Sequence, residues 1–214
     1  WGPPYFVGDP VGMLRIDGHD VSPHIPFPSW GVLGRTEQGW SIAHSFEERR
    51  IARFSDALAC APILIHGGEP MDFSGPTTHI SRRYLFPHYG RGSEIPPGNF
   101  DAHRHNSRTP RAAVGMNSEG DILLVTVESH RNHRSAHGMD LEHMQSLMYC
   151  LGCTQALSLD GGGSMGCITR GESGEITLHN RPSGRVGEWH VPGSSERPVS
   201  SALGFVRRGF ARPS

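Results

Sequence analysis

The segment of this chain best suited to chemistry is Asp160-Gly161-Gly162-Gly163-Ser164. Successive glycines let main-chain N–H groups converge on an anion, or let a ligand approach the backbone closely. The segment lacks the Gly-Lys-Ser/Thr ending of a Walker loop. A carboxylate at the mouth of a phosphate cradle repels phosphate, so Asp160 is expected to face sugar hydroxyls, a water or a proton in transit. The alternative is a strand that simply ends in a flexible glycine turn. Two arginines are placed where they could serve the same chemistry. Arg111, in Pro110-Arg111-Ala112-Ala113-Val114-Gly115, stands at a strand start, and Arg197 follows Glu196 just before a Val199-led apolar run. Each alone reads equally well as a solvated or ion-paired strand end.

Histidines and cysteines offer competing chemistry. His103 and His105 form one close set, and His130, His133 and His137 form another whose spacing could place three imidazoles around zinc. Fourteen histidines in 214 residues produce such spacings by chance, and no acidic partner completes a zinc signature. No metal or other cofactor is therefore expected, and His130 is expected to border the site as a neutral donor. Cys150 and Cys153 make a C-x-x-C pair, but at the C-terminus of the expected helix, where a thiolate is not stabilised. Buried structural cysteines are the favoured reading. With Cys60 and Cys167 the four also permit two disulfides in an exported protein, with the pairing open.

Composition excludes several partners. Twenty basic against twenty-one acidic residues give a formal charge of −1, without the electrostatic footprint of a nucleic-acid binder or a polybasic membrane-surface protein. Every basic residue is arginine, whose planar fork suits carboxylate and phosphate. No stretch approaches the roughly 20 apolar residues that span a bilayer, and no charged-then-apolar signal opens the chain, which starts at Trp1. Compartment and oligomeric state stay open.

The elements that must position these residues read mostly as strands. With 28 glycines and 17 prolines, tight turns are favoured over long helices. Val32–Thr36 and Trp40–His44 flank Glu37-Gln38-Gly39 as a hairpin, and Ala61–His66 with Glu69–Met71 flank Gly67-Gly68 as another. Arg111–Met116 and Asp121–Glu128 around Asn117-Ser118-Glu119-Gly120 form the clearest. A capping box at Ser45 and Glu48 predicts a helix through about Leu58. Asp140 is expected to cap a second helix carrying Leu141, Met144, Leu147, Met148 and Leu151, ended by Gly152. Ala156–Leu159 then runs as a buried strand into Asp160, so that the Asp121 strand, the Asp140 helix and this strand make a βαβ unit. Val199–Val206 is a last strand. Residues 71–109 show no periodicity. The expectation is a strand-rich mixed α/β domain with a central mixed sheet, several hairpins and few helices.

Four spaced motifs, namely 110–115, Leu159-Asp160-Gly161-Gly162-Gly163-Ser164, Asn180-Arg181-Pro182-Ser183 and Glu196-Arg197-Pro198-Val199, together resemble the phosphodiester glycosidase family. Its members include an N-acetylglucosamine-1-phosphodiester glycosidase and bacterial exopolysaccharide-related proteins. Asp9–Gly18 and Ala59–Gly68 are similar to earlier family segments, in the family's own order. Gly2-Pro3-Pro4-Tyr5-Phe6 keeps the aromatics of the family's opening segment but lacks its asparagine, and residues 185–195 look like an insertion. The resemblance implies one domain over 1–214, without the family's preceding N-terminal strands. It implies a hydrolase that cleaves the C1–O bond of a sugar 1-phosphodiester, small or polymer-linked. In that reading Arg111 and Arg197 stabilise the departing phosphate, and Asp160, ahead of Glu196, activates water or stabilises an oxocarbenium-like centre. Gly161, Gly162, Gly163, Ser164, Asn180 and His130 contact the substrate. The rival expectations are a carbohydrate or phospho-sugar binding protein without turnover, and a metal-dependent hydrolase built on the histidine sets.

Overall fold

The computed structural model describes residues 12–24, 26, 30–73, 108–128, 138–180 and 202–205. Two five-stranded sheets form the body. The first contains β1 (Leu14–Ile16), β2 (His19–Ser22), β3 (Gly31–Thr36), β4 (Gly39–His44) and β5 (Asp56–Cys60), in the order β2-β1-β5-β3-β4. The second contains β6 (Ile63–His66), β7 (Glu69–Pro70), β8 (Arg111–Asn117), β9 (Ile122–Val127) and β10 (Cys153–Leu159), in the order β7-β6-β10-β8-β9. Every described ladder is antiparallel, so the strand-rich fold is as expected but its strands divide between two sheets rather than one mixed sheet.

Alternation along the strands builds three apolar layers. Leu33 and Ile42 from the first sheet meet Ile63, Val114, Met116 and Leu157 from the second. The opposite face of the first sheet, Val32, Ala43, Ala57 and Ala59, is covered by Met13, Trp30, Ile51 and Phe54. The opposite face of the second, Leu64, Ala113 and Ala156, is covered by α2 (Leu141–Cys150) through Leu141, Met144 and Met148. The sheets touch closely at Gly31, where a Cβ would lie 2.7 Å from Ile63 Cγ1 and 2.9 Å from Leu157 Cδ1.

Gly31 pairs with both Cys60 and His44, so these three form one row across the first sheet. That row runs along β10. Cys60 reaches Asp160, Gly31 abuts Leu157, Gln155 Oε1 accepts from Ile42 N–H at 2.8 Å, and the His44 ring lies 6.4 Å from that of His66. The chain passes from the first sheet to the second at a corner between β5 and β6. The corner is Ala61-Pro62, joined by a cis peptide, and the Pro62 carbonyl already accepts from Ser158 N–H at 2.9 Å.

The hairpins are as expected, and so is α2: Asp140 caps it by accepting from His143 N–H at 2.8 Å, and left-handed Gly152 (φ +81°) ends it. β9 and β10 both pair antiparallel with β8, so they run parallel with one strand between them, joined by α2. Three expectations need correction. The helix expected through Leu58 is the single turn α1 (Glu48–Ile51), and its entry bond runs from His44 N–H to Glu47, one residue ahead of the Ser45/Glu48 box. It stops because Phe54 must pack beneath Gly34 and residues 56–60 are claimed as a central strand. Residues 202–205 of the expected last strand carry no strand; Leu203 packs on the core between the sheets, and Phe205 lies 5.4 Å from Trp40, ring to ring. Finally, all four cysteines are free thiols, and of the C-x-x-C pair Cys153 is buried but Cys150, past the covered face of α2, is exposed. A short hairpin of β11 (Ile168–Arg170) and β12 (Ile176–Leu178) was not anticipated.

Candidate active site

The second sheet places the candidate residues at one end. Arg111 is the first residue of β8, and Asp160 follows directly on β10. The register pairs Leu159 with Ala112, so one step further along the ladder Asp160 stands level with Arg111. β9 completes this end, because Arg111 also pairs with Val127. The Arg111 side chain, half-buried, donates from Nε to the Met139 carbonyl at 3.0 Å. Met139 in turn forms a two-way main-chain bridge with Thr109, at 3.0 and 3.3 Å. Asp160 is exposed, and its Oδ1 accepts from Gly161 N–H at 2.9 Å.

The glycine turn is shaped by its own chain. Gly162 N–H donates to the Pro110 carbonyl at 2.9 Å, and Ser164 N–H to the Gly161 carbonyl at 3.1 Å, closing a 3₁₀ turn over Gly162–Ser164. Gly162 has φ +59°, a left-handed conformation that favours glycine. Gly161, Gly162, Gly163 and Ser164 are all half-buried. Asn180 is buried beside the segment that follows this turn, with Nδ2 donating to the Met165 carbonyl at 3.0 Å and Oδ1 accepting from Cys167 N–H. Its amide is engaged by the main chain on both sides, which makes it a staple for the loop after Ser164.

Cys60 is a neighbour that the sequence did not point to. Its sulfur accepts from the Asp160 amide, and it packs with Leu159 on the core between the sheets. Burial, followed by the Asp160 charge, pushes its thiol up to about 12, so it stays protonated near neutral pH and is no nucleophile. Next to Arg111, Asp140 accepts from His143 Nδ1 at 2.6 Å and lies 4.0 Å from Arg108 Nε. Burial raises its carboxyl, but the His143 hydrogen bonds and the Arg108 charge outweigh that and hold it below the ordinary aspartate range.

The structure therefore brings Asp160, Arg111 and the 161–164 turn together. Glu196, Arg197 and His130 lie outside the described residues, as do His103, His105, His133 and His137. Among the described residues no group of three His, Cys, Asp or Glu side chains is arranged to hold a metal ion. Nor is any described helix long and apolar enough to cross a membrane.

The phosphodiester glycosidase family model matches residues 4–206, a span that holds both Arg111 and Asp160. The chain belongs to the phosphodiester glycosidase family. Among solved structures it is similar to the catalytic domain of zebrafish N-acetylglucosamine-1-phosphodiester alpha-N-acetylglucosaminidase, which is auto-inhibited by its pro-peptide. The TM-score is 0.56 at 19% identity, covering 86% of this chain and 55% of the zebrafish one. That likeness is one of fold. A hypothetical protein from Synechocystis is also similar, at TM-score 0.40 and 18% identity over 68% of this chain and 22% of that one. In sequence, 67 residues are 39% identical to YomE, an uncharacterized SPbeta prophage-derived protein of Bacillus subtilis (strain 168), covering 31% of this chain and 10% of YomE. The chain thus spans about half of the zebrafish chain and a tenth of YomE.

Proposed function

We propose that this chain hydrolyses a sugar 1-phosphodiester, small or polymer-linked, at the bond between C1 and the phosphate oxygen. The observation that carries the reading is the juxtaposition of Asp160 and Arg111 at the same end of adjacent strands. A departing phosphate monoester is stable by itself, so this reaction needs less proton donation than an ordinary glycosidase and more positive charge at the leaving oxygen. Arg111, its Nε fixed on the Met139 carbonyl, is assigned the positive charge at that oxygen, and Arg197 the same role. Asp160 takes the proton of the attacking water or stabilises the oxocarbenium-like carbon, and Glu196 is the second carboxylate. The balance is simple: water oxygen bonds to C1, the C1–O bond breaks with its electron pair on the phosphate, and the proton passes to the carboxylate. Gly162, Gly163, Ser164 and His130 are assigned to the substrate, with Asn180 holding the segment after the turn. No step is assigned to a metal or cofactor.

The test is a panel of sugar 1-phosphodiesters and matched aryl glycosides with wild type, Asp160→Asn and Arg111→Ala. Free sugar should be released, Asp160→Asn should lose at least about a hundredfold in kcat, and Arg111→Ala should lose far more on phosphodiesters than on aryl glycosides. Binding of the panel without release of sugar would leave a phospho-sugar binding protein. Equal losses on both substrate types would remove Arg111 from the leaving group.

A further inference from the structure

Three main-chain segments stack against one another beside Arg111, and glycine occupies both contacts. Behind the middle segment, a Cβ on Gly138 (φ +82°) would lie 2.2 Å from the Thr109 carbonyl oxygen and 2.8 Å from Pro110 N. In front of it, a Cβ on Gly161 would lie 2.5 Å from the Pro110 carbonyl oxygen and 3.6 Å from Arg111 Cα. Gly161 has φ −120° and ψ −156°, extended backbone that any residue adopts, so it is space and not conformation that excludes a side chain there. The stack is tied by Gly162 N–H to the Pro110 carbonyl, by the Thr109–Met139 bridge and by Arg111 Nε on the Met139 carbonyl.

We propose that Gly161 is a positioning residue: by carrying no side chain it lets the Asp160 segment close onto Pro110, and so sets the separation of the Asp160 carboxylate from the Arg111 guanidinium. The proposal rests on the reaction given above. It moves Gly161 from the substrate-lining role that a glycine run suggests to a purely internal one. The Pro110 segment is already in close contact with Gly138, whose Cβ position lies 2.8 Å from Pro110 N, and is tied to Met139 through Thr109, which opposes its retreat from an added methyl group. Real Cβ contacts essentially never fall under 3.0 Å, so a methyl group starting at 2.5 Å must part the two segments by at least half an ångström. That displacement acts on the residues flanking both reacting groups, where about 1 Å of misplacement is worth about a hundredfold in rate. Gly162 provides the contrast, since nothing lies within 4 Å of its Cβ position and its demand is for the left-handed conformation alone.

The experiment compares wild type with Gly161→Ala on the sugar 1-phosphodiester panel. It also follows the Arg111 Nε–H and Asp160 amide resonances by NMR, with Tm as the measure of folding. Gly161→Ala is expected to stay folded, to shift both resonances, and to lose about tenfold or more in kcat with KM changed less than threefold. A folded Gly161→Ala that turns over within twofold of wild type overturns the proposal, whether or not the resonances move. So does a variant that fails to fold, or one whose whole loss lies in KM, because Gly161 would then be a stability residue or a substrate contact. A wild type that cleaves nothing in the panel sinks the reaction itself, an outcome distinct from an active wild type matched by its variant.

Discussion

Asp140→Ala removes one residue that fixes both a helix and, through its neighbour, the site. The Asp140 carboxylate, 13% exposed, accepts the N–H of His143 at 2.8 Å at the first turn of α2. Loss of such a cap costs about 1 kcal/mol, within a range of about 0.5 to 2, and about 2–4 °C in Tm for a chain of this size. Asp140→Asn keeps an acceptor for the helix N–H and should recover most of that loss. The pH dependence follows from the carboxyl being held below the ordinary aspartate range: burial opposes this, and the His143 bonds with the Arg108 charge prevail. A carboxyl that loses its proton more readily when folded contributes fully above the unfolded value of about 3.9, and that contribution fades as pH falls through the lower folded value. Urea unfolding of wild type and both variants across that range is the assay. The gap between wild type and Asp140→Ala should be constant from neutrality down to about pH 5 and narrow below it. Because the preceding carbonyl, that of Met139, holds Arg111 Nε, the same variant should also broaden the Arg111 Nε–H resonance. A gap that persists unchanged in strong acid, or an Asn variant as unstable as the Ala one, would refute the reasoning.

Asn180→Ala leaves the Cys167 N–H and the Met165 carbonyl without their side-chain partner, so a loss of about 1–3 kcal/mol is expected by urea unfolding, with faster amide exchange at Cys167; unchanged exchange would count against the staple. Exhaustive chelation should leave turnover intact, since arginine supplies the positive charge a phosphate leaving group needs. Stoichiometric zinc in elemental analysis, with activity lost on removal and restored on return, would instead make the His130, His133 and His137 segment the catalytic centre.

Much of the fold was legible where the signal is local. Asn117–Gly120 between two apolar runs and Asp140 before a helical repeat each carry their own turn or cap chemistry, and both elements form as read. Residues 56–60 show the opposite case. Their Ala and Leu content suits a helix, yet pairing with β1 on one side and β3 on the other makes them a central strand, with Ala57 and Ala59 small enough to pack under Trp30 and Phe54. The β11–β12 hairpin had a signal, β-branched residues about Gly171 and Gly174, but strands of three residues give too little alternation to stand out. At the site, Asp160 and Arg111 were visible as motif residues. Cys60 and Gly138 were not, because their contacts with Asp160 and Thr109 depend on which strands become neighbours, and nothing adjacent to them in sequence announces it.

The position of β10 bears on the order in which the protein can assemble. β10 is the middle strand of its sheet, yet it is synthesised after every strand beside it. Until it emerges, β6 and β8 have no shared partner, and the sheet exists as two hairpins, β6–β7 and β8–β9, each with a bare inner edge. Those edges carry Ile63, Leu64, Ile65, Val114 and Met116, all buried once β10 is in place. A nascent chain stalled before Cys153 would therefore display two apolar strand edges with open hydrogen-bonding groups, the condition under which chains join each other instead of themselves. The strand that delivers Asp160 is also the one that closes the sheet, so formation of the candidate site and protection from self-association arrive in a single step.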